Sequence, residues 1–319
     1  MVLLPILLFI VGLLLLILGA NFLVKGSSSL AKQLAISEIA IGLTVVAFGT
    51  STPELVVNIF SSVKGYSDIV FGNVIGSNLF NILIILGIAG LINPLTVQKN
   101  TVWKEIPFSL FATLLLFVML NDVAIFSAEQ NMLSLIDGIV LILFLIIFLV
   151  YVFGISKIKS SDTFDVKVYG SLKTIFYISI GFASLFLGGK FVVDNAVSIA
   201  RELLVSEKLI ALTIVAAGTS LPELATSVVA AVKKRYDIAV GNIIGSNIFN
   251  IFFILGVSSI INTAHYSSAL NMDFLVLVFG TLLLFLAMFT GRAHRLDRWE
   301  AFLFIATYSG YLVYLFYRR

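Results

Sequence analysis

Cysteine is absent from this chain, and histidine occurs only at His265 and His294. Disulfides, thiolate metal sites and thiol nucleophiles are therefore excluded, although the compartment is not identified. Both histidines fall in expected loops, so a transition-metal centre of nitrogen and sulfur ligands has nothing to be built from. Charge is scarce too: 12% of the 319 residues are charged, against 60% hydrophobic. A soluble globule carries about 25% charged residues. The formal net charge of +3 is small, and the basic residues sit in short connecting segments. They read as orientation signals, not as a nucleic-acid surface. No soluble domain is visible.

Long apolar runs fill the space that charge leaves. The mean hydropathy of +1.12 marks a polytopic membrane protein. A span needs roughly 20 apolar residues, and about ten such segments are legible, at 3–24, 38–63, 69–92, 106–120, 132–153, 174–194, 208–232, 238–261, 272–291 and 299–317. They are about twice as long as barrel strands and lack strict alternation, which predicts helices. The expected fold class is an all-α polytopic membrane protein. No basic residue precedes the first run, which is longer than a signal-peptide core, so it is expected to remain as a span.

The loop charges are lopsided. With the N-terminus outside, the inner loops carry Lys25, Lys32, Lys99, Lys104, Lys157, Lys159, Lys167, Lys173, Lys233, Lys234, Arg235, Arg292, Arg295 and Arg298. The outer side carries Lys64, Arg201, Lys208, Arg318 and Arg319, and Lys190 stays in or near a span. The positive-inside rule then places both termini outside, in a multi-pass protein of the cell membrane.

The chain repeats itself. Ile41–Leu55 reads IGLTVVAFGTSTPEL and Ile210–Leu224 reads IALTIVAAGTSLPEL, an offset of 169 residues. At the same offset Asp68–Gly87 and Asp237–Gly256 agree at 14 of 20 positions. Ser37-Glu38 returns as Ser206-Glu207, and Leu18-Gly19 as Leu187-Gly188. One unit of about five spans is duplicated. An odd number of spans makes the second copy enter from the opposite side, so an inverted-topology repeat is expected, with a site near the midplane where the halves meet. The expected division is a first transmembrane repeat at 1–154, a cytoplasmic linker at 155–173 and a second repeat at 174–319.

Each copy places a glutamate, Glu54 or Glu223, deep in an apolar run. Ionisable residues in a span are costly and mark function. No lysine or arginine lies within a turn of either. Pro53, one residue before Glu54, removes an N–H and clashes with the carbonyl of Gly49, so the helix should break and leave the carbonyls of Ala47 to Thr50 short of partners. Thr50, Ser51 and Glu54 add side-chain oxygens. The second copy repeats this with Ala216, Gly218, Thr219, Ser220, Pro222 and Glu223. Asn73, Ser77 and Asn81 are four apart and share one helix face, as do Asn242, Ser246 and Asn250. Asn78 and Asn247 read as bonds to neighbouring helices. Gly72, Gly76, Gly241 and Gly245 form small-xxx-small patterns that equally suit helix packing. Asp137 reads as interfacial, and Lys190 with Asp194 as a mutual ion pair. Every proposed ligand is oxygen, the donor that Ca²⁺ and Na⁺ prefer. Two carboxylates match the charge of one Ca²⁺.

The paired GTSxPEL runs, each followed by a GNxIGSNxFN run, resemble the α-repeats of the cation/Ca²⁺ exchanger superfamily, and most of all its prokaryotic sodium/calcium exchanger branch. The resemblance covers essentially the whole chain. It implies ten transmembrane helices in two inverted five-helix halves, and antiport of Ca²⁺ against Na⁺, commonly three for one. It implies that Glu54 and Glu223 hold a central Ca²⁺ with the carbonyls of Thr50 and Thr219. Sodium would use Ala47, Ser51 and Ser246 on one side and Ala216, Ser220 and Ser77 on the other, with Asn81 and Asn250 completing the centre. Some relatives carry aspartate where this chain has Asn81 and Asn250, which argues against K⁺ coupling. No cofactor, nucleic-acid or protein partner is implied; the ions are the substrates and the bilayer the surroundings.

Three other readings stand beside antiport with Na⁺. A Ca²⁺/H⁺ antiporter could protonate Glu54 or Glu223. A passive cation channel could be lined by duplicated acids, but a two-fold repeat suits a rocking carrier better. An intramembrane enzyme would need a nucleophile or a metal-bound water, for which no His or Cys ligands are available.

Overall fold

The structure is a computed structural model that describes residues 3–156, 167–203 and 216–317. Most of the polar linker at 155–173, with Lys157 and Lys159, lies outside the described residues. So do Ser206-Glu207 and the start of the expected seventh span. Among the described residues, eight helices are long and apolar enough to cross a membrane, or nine if one bent pair counts as a single span.

In chain order, α1 spans Leu3–Gln33. Helix α2 (Glu38–Thr50) and α3 (Thr52–Val63) form the bent pair, at 48°. Helix α4 spans Ser67–Ile92 and α5 Thr101–Leu120, followed by the short α6 (Asp122–Phe126) and by α7 (Leu135–Ser156). The second half opens on α8 (Ser171–Glu202), then α9 (Ala216–Gly218) and α10 (Leu221–Val232). Helix α11 covers Tyr236–Ile261, α12 Asn271–Ala287 and α13 Arg298–Tyr317. The expected span 208–232 is thus described only from Ala216 onward.

Several spans are not uniform α-helix. A π-helical turn occupies Gly42–Val46 in α2, Phe80–Ile85 in α4, Thr101–Glu105 in α5 and Asn250–Ile254 in α11. Such turns leave the i→i−4 ladder and re-aim side chains, often at functional positions. Those in α4 and α11 coincide with Asn81 and Asn250.

Two-residue strands tie the connecting segments together. Leu95–Thr96 (β1) pairs antiparallel with Arg295–Leu296 (β4), and Met132–Leu133 (β2) with Ala264–His265 (β3). At the α2 entrance Arg235 lies 3.5 Å from Glu38, and Gln98 donates to Asp237 at 2.5 Å. Lys233, just past α10, reaches the side chain of Asn21 on α1. Burial pushes this ammonium down to about 8, with repulsion from Lys25 and Arg235 adding to the effect. Asp137 caps the start of α7, accepting from the Ser134 N–H at 2.8 Å and its hydroxyl at 2.6 Å. The expected Lys190–Asp194 pair does not form: both side chains are exposed, and neither makes an ion pair among the described residues. Four residues of spacing puts the two on one helix face but does not by itself bring their charged ends together.

The buried apolar side chains fall into two clusters. The larger fills the space among α4, α5, α7, α11, α12 and α13, with Phe71, Leu83, Phe148, Phe252, Phe274 and Phe304 fully buried. The smaller joins Leu16, Ala20 and Leu23 of α1 to Leu185 and Val192 of α8. Between α1 and α8 the backbones meet through glycine. A Cβ on Gly19 would stand 2.9 Å from the Gly181 carbonyl oxygen, and one on Gly188 would stand 2.9 Å from that of Gly12. The pairing of 12 with 188 and of 19 with 181 makes the two helices antiparallel. Small residues let membrane helices pack by close van der Waals contact without a solvent-driven hydrophobic term.

Gly19→Val should therefore force α1 and α8 apart and destabilise the protein by about 1–3 kcal/mol. Gly310→Ala, where nothing lies within 4 Å of the added carbon, should be tolerated. Thermal unfolding in detergent distinguishes the two.

Candidate functional site

The breaks predicted at the two proline motifs are present. In the first half α2 ends at Thr50, Ser51 has left the helical region at φ −80°, ψ 8°, and α3 begins at Thr52 with Pro53 in its first turn. Ser220 repeats the geometry at φ −88°, ψ 8°, between α9 and α10. A proline in a first turn costs no backbone hydrogen bond within its own helix, because that N–H has no partner there. The loss falls on the preceding segment.

That loss is narrower than the motif suggests. The Ala47 carbonyl still accepts the Ser51 N–H at 3.0 Å and the Thr50 hydroxyl at 3.3 Å. The Phe48 carbonyl takes the Thr52 hydroxyl at 3.2 Å. Gly49 is the residue whose carbonyl loses its donor to Pro53. Its lack of a side chain has a second cause: a Cβ there would lie 2.0 Å from the Phe182 ring on α8. At Gly218 the added carbon would come within 2.4 Å of Val193.

Glu54 and Glu223 are the buried acids at the start of α3 and α10, with 1% and 0% of their surface exposed. Each is held from both halves. Ser51 Oγ donates to Glu223 Oε1 at 3.0 Å, and Ser220 Oγ donates to Glu54 Oε1 at 3.1 Å. Ser77 Oγ reaches Glu54 Oε1 at 3.5 Å, and Ser246 Oγ reaches Glu223 Oε1 at 3.4 Å. The hydroxyl before each proline thus serves the opposite carboxylate, while the α4 or α11 hydroxyl serves the one in its own half. Every bond in this set has a mate 169 residues away.

The asparagines around the carboxylates repeat the same pairing. Asn73 donates to the Glu54 carbonyl at 3.3 Å, and Asn242 to the Glu223 carbonyl at 3.4 Å. Asn242 also accepts the Thr50 hydroxyl at 3.0 Å. Asn78 and Asn247 each donate to the other's backbone carbonyl at 3.3 Å. Their side-chain oxygens accept from Asn250 and Asn81 respectively, both at 2.9 Å. This is the helix-to-helix role expected of Asn78 and Asn247. It also fixes Asn81 and Asn250: with each amide nitrogen engaged, each Oδ1 is left buried and without a hydrogen-bond partner. Glu54 Oε2, Glu223 Oε2 and Thr219 Oγ1 are in the same condition.

The twelve residues singled out from sequence therefore lie on the segments that meet at the breaks. Ser51, Thr219 and Ser220 are in the turns themselves, Thr50 is the last residue of α2, and Ala47 and Ala216 sit one turn before the serines. Gly241 and Gly245 serve packing, since a Cβ on Gly245 would lie 2.7 Å from the Leu43 carbonyl oxygen. Sequence reasoning missed Asn58 and Ser227. Asn58 Oδ1 accepts from Asn73 at 2.7 Å, and Ser227 Oγ accepts from Asn242 at 3.0 Å. They occupy equivalent places with different chemistry, so the repeat comparison could not flag them. Their distance of four residues after each glutamate could have done so, because that spacing puts them on its helix face.

An uncompensated buried carboxylate is expensive, and two at one site repel each other. Hydroxyl donors satisfy one oxygen of each, and among the described residues no cationic side chain pairs with the others. Among the same residues no cluster of three or more His, Cys, Asp or Glu could hold a metal ion. The unpartnered oxygens are hard donors, of the kind that suits a hard cation and not a transition metal.

Removing the reciprocal clamp should be measurable. Asn78→Ala leaves the Asn250 amide without its acceptor and should cost about 1–3 kcal/mol. Asn247→Ala should cost the same, and the double variant less than the sum, because the two share one network. Thermal unfolding of the three variants tests this.

The family model described as sodium/calcium exchanger protein matches residues 4–154 and 173–317. Sodium/calcium exchanger MaX1 of Methanosarcina acetivorans is 32% identical over 318 residues, covering 89% of this chain and 91% of that protein. Inner membrane protein YrbG of Escherichia coli is 34% identical over 269 residues, covering 81% of this chain and 80% of that protein. A solved structure of the sodium-calcium exchanger NCX_Mj, soaked with zero Na⁺ and Ca²⁺, superposes with a TM-score of 0.82 at 33% identity, over 99% of this chain and 100% of that one. A match over both halves of the sequence, together with a shared fold, establishes that this chain belongs to the sodium/calcium exchanger family.

Proposed function

We propose that this protein is a secondary antiporter that exchanges Ca²⁺ for Na⁺ across the cell membrane by alternating access. The observation that carries the reading is the set of buried oxygens left over by the hydrogen bonding: Glu54 Oε2, Glu223 Oε2, Asn81 Oδ1 and Asn250 Oδ1. They come in equivalent pairs, two charged and two neutral, on segments joined by the crossed serine bonds. Two negative charges balance one Ca²⁺, with the carbonyls of Thr50 and Thr219 as further ligands. Sodium ions would take Ala47, Ser51 and Ser246 on one flank and Ala216, Ser220 and Ser77 on the other. Ca²⁺ and Na⁺ then compete for the same carboxylates, which makes occupancy by one the condition for release of the other.

The architecture we propose is ten transmembrane helices in two inverted five-helix repeats, 1–154 and 174–319, joined by a cytoplasmic linker at 155–173. The family match divides at the same place, and the bonds around the carboxylates recur at the repeat offset. Both termini would lie outside. The strand pairs support the grouping of the connections by face, because each joins two that the ten-helix layout puts on one side: 95–96 with 295–296, and 132–133 with 264–265. Helices α1 and α8, packed on each other along a glycine seam, are the pair suited to slide against the rest.

Exchange of three Na⁺ for one Ca²⁺ would move one net charge, worth about 2.3 kcal/mol per 100 mV. Neutral Asn81 and Asn250 leave no third carboxylate for K⁺. In proteoliposomes, an outward Na⁺ gradient should drive ⁴⁵Ca²⁺ uptake that a membrane potential accelerates or slows according to sign. Potassium or pH gradients alone should not drive it. Uptake under a pH gradient without Na⁺ would replace the reading with Ca²⁺/H⁺ exchange, and flux without any counter-ion would replace it with a channel.

Glu54→Gln and Glu223→Gln should each abolish Ca²⁺ uptake while the protein remains folded by thermal unfolding. Ser77→Ala and Ser246→Ala should weaken the Na⁺ dependence of uptake more than Ca²⁺ binding, which titrations of the two ions separate.

A further inference from the structure

Helix α8 carries a feature that ion exchange does not use. Lys190 and Asp194 are exposed charges within a membrane-spanning helix, four residues apart, and neither has an ion-pair partner among the described residues. Beside them is a groove of about 360 Å³ between α8 and the broken span. Its walls are almost entirely apolar: Phe182 and Phe186 of α8 face Phe48, Pro53 and Pro222, with Thr52 at the edge.

The two features share one stripe of the helix. Ala183 and Phe186 line the groove, and Lys190 follows them by seven and four residues, which brings it back to nearly the same angular position. Gly189, next to Lys190, is 3.9 Å from Pro222 of the groove wall when given a Cβ. Along the axis, Lys190 stands about 6 Å from Phe186, and Asp194 about 6 Å further on, at 1.5 Å per residue. The groove lies at the middle of α8, and the charges lie toward its C-terminal end.

The order along the helix is therefore apolar groove, cation, anion. We infer that this surface binds one phosphatidylethanolamine molecule, with an acyl chain in the groove, the phosphate on Lys190 and the ammonium on Asp194. In a phospholipid running from bilayer centre to water, the tail comes first, the anionic phosphate next and the amine outermost. The stripe presents the complementary sequence. A lone exposed lysine would snorkel to any phosphate. The carboxylate one turn beyond it selects the headgroup: an ammonium donates hydrogen bonds to Asp194, a trimethylated amine cannot, and an anionic headgroup is repelled. An acyl chain in the groove would touch Pro53 and Pro222, the residues that break the spans beside Glu54 and Glu223.

Native mass spectrometry of the full-length protein, equilibrated in detergent with equal amounts of dioleoyl phosphatidylethanolamine, phosphatidylcholine and phosphatidylglycerol, tests the assignment. Wild type should retain phosphatidylethanolamine over phosphatidylcholine by about three- to tenfold, the range set by one hydrogen-bonded contact. Asp194→Asn should erase that preference. Lys190→Ala should lower retention of all three lipids, Lys190→Arg should restore it, and Ala183→Trp should lower it by filling the groove with both charges in place. Equal retention of the two zwitterionic lipids by wild type, a preference for phosphatidylglycerol, or an unchanged preference in Asp194→Asn would overturn the proposal. Lipid retention is read without any ion flux, so its failure would leave the exchange reading untouched.

Discussion

The hydrogen bonds from Ser51 to Glu223 and from Ser220 to Glu54 cross between the halves at the point where each span is broken. They exist because two carboxylates lie where water does not reach, and a group that costs several kcal/mol to bury must be answered locally. The proline breaks bring the crossed serines out of their helices. The π-turns in α4 and α11 coincide with Asn81 and Asn250, and the Asn78–Asn247 clamp holds the amides of those two in one orientation. Gly49 and Gly218 allow α8 to lie against the breaks. Each of these local irregularities would be a defect in an ordinary span. Together they form the surroundings in which two buried acids find hydrogen-bond donors in an apolar bundle.

Much of this was legible before any coordinates. The GTSxPEL runs announce a break, a hydroxyl and an acid in six residues, and the structure puts all three at one place. The four-residue spacing of Asn73, Ser77 and Asn81 correctly gives a single polar face. Sequence could not say which half each hydroxyl serves, because the offset of 169 relates equivalent residues and is silent about contact between non-equivalent ones. The π-turns carry no compositional mark. The tight place at Gly49 depends on Phe182, which is far away in sequence and looks like one more apolar residue. The Lys190–Asp194 spacing suggests a pair that the helix does not form, because a shared helix face does not decide which way two long side chains turn.

The fold separates what must stay from what can move. The larger core and the two strand pairs tie most helices and their connections into one frame. Helices α1 and α8 belong to the smaller cluster and meet through side chains as well as glycines: Ser29 and Thr174 share a hydrogen bond at 2.9 Å, Gln33 donates to the Tyr169 carbonyl at 2.6 Å, and Phe22 lies against Tyr177. Close backbone approach and these bonds together hold the two helices to each other as one unit. Lys233 is the counterweight: it reaches from the frame to Asn21 of α1, at the cost of a partly buried ammonium.

The crossed serines make each half a part of the other's site. Glu54 accepts from Ser220 of the second half as well as from Ser77 of its own, and Glu223 accepts from Ser51 of the first half as well as from Ser246 of its own. A change at Ser51 is therefore felt by the acid of the opposite half, and a change at Ser220 is felt in return, so neither half can be altered at its break without altering the other.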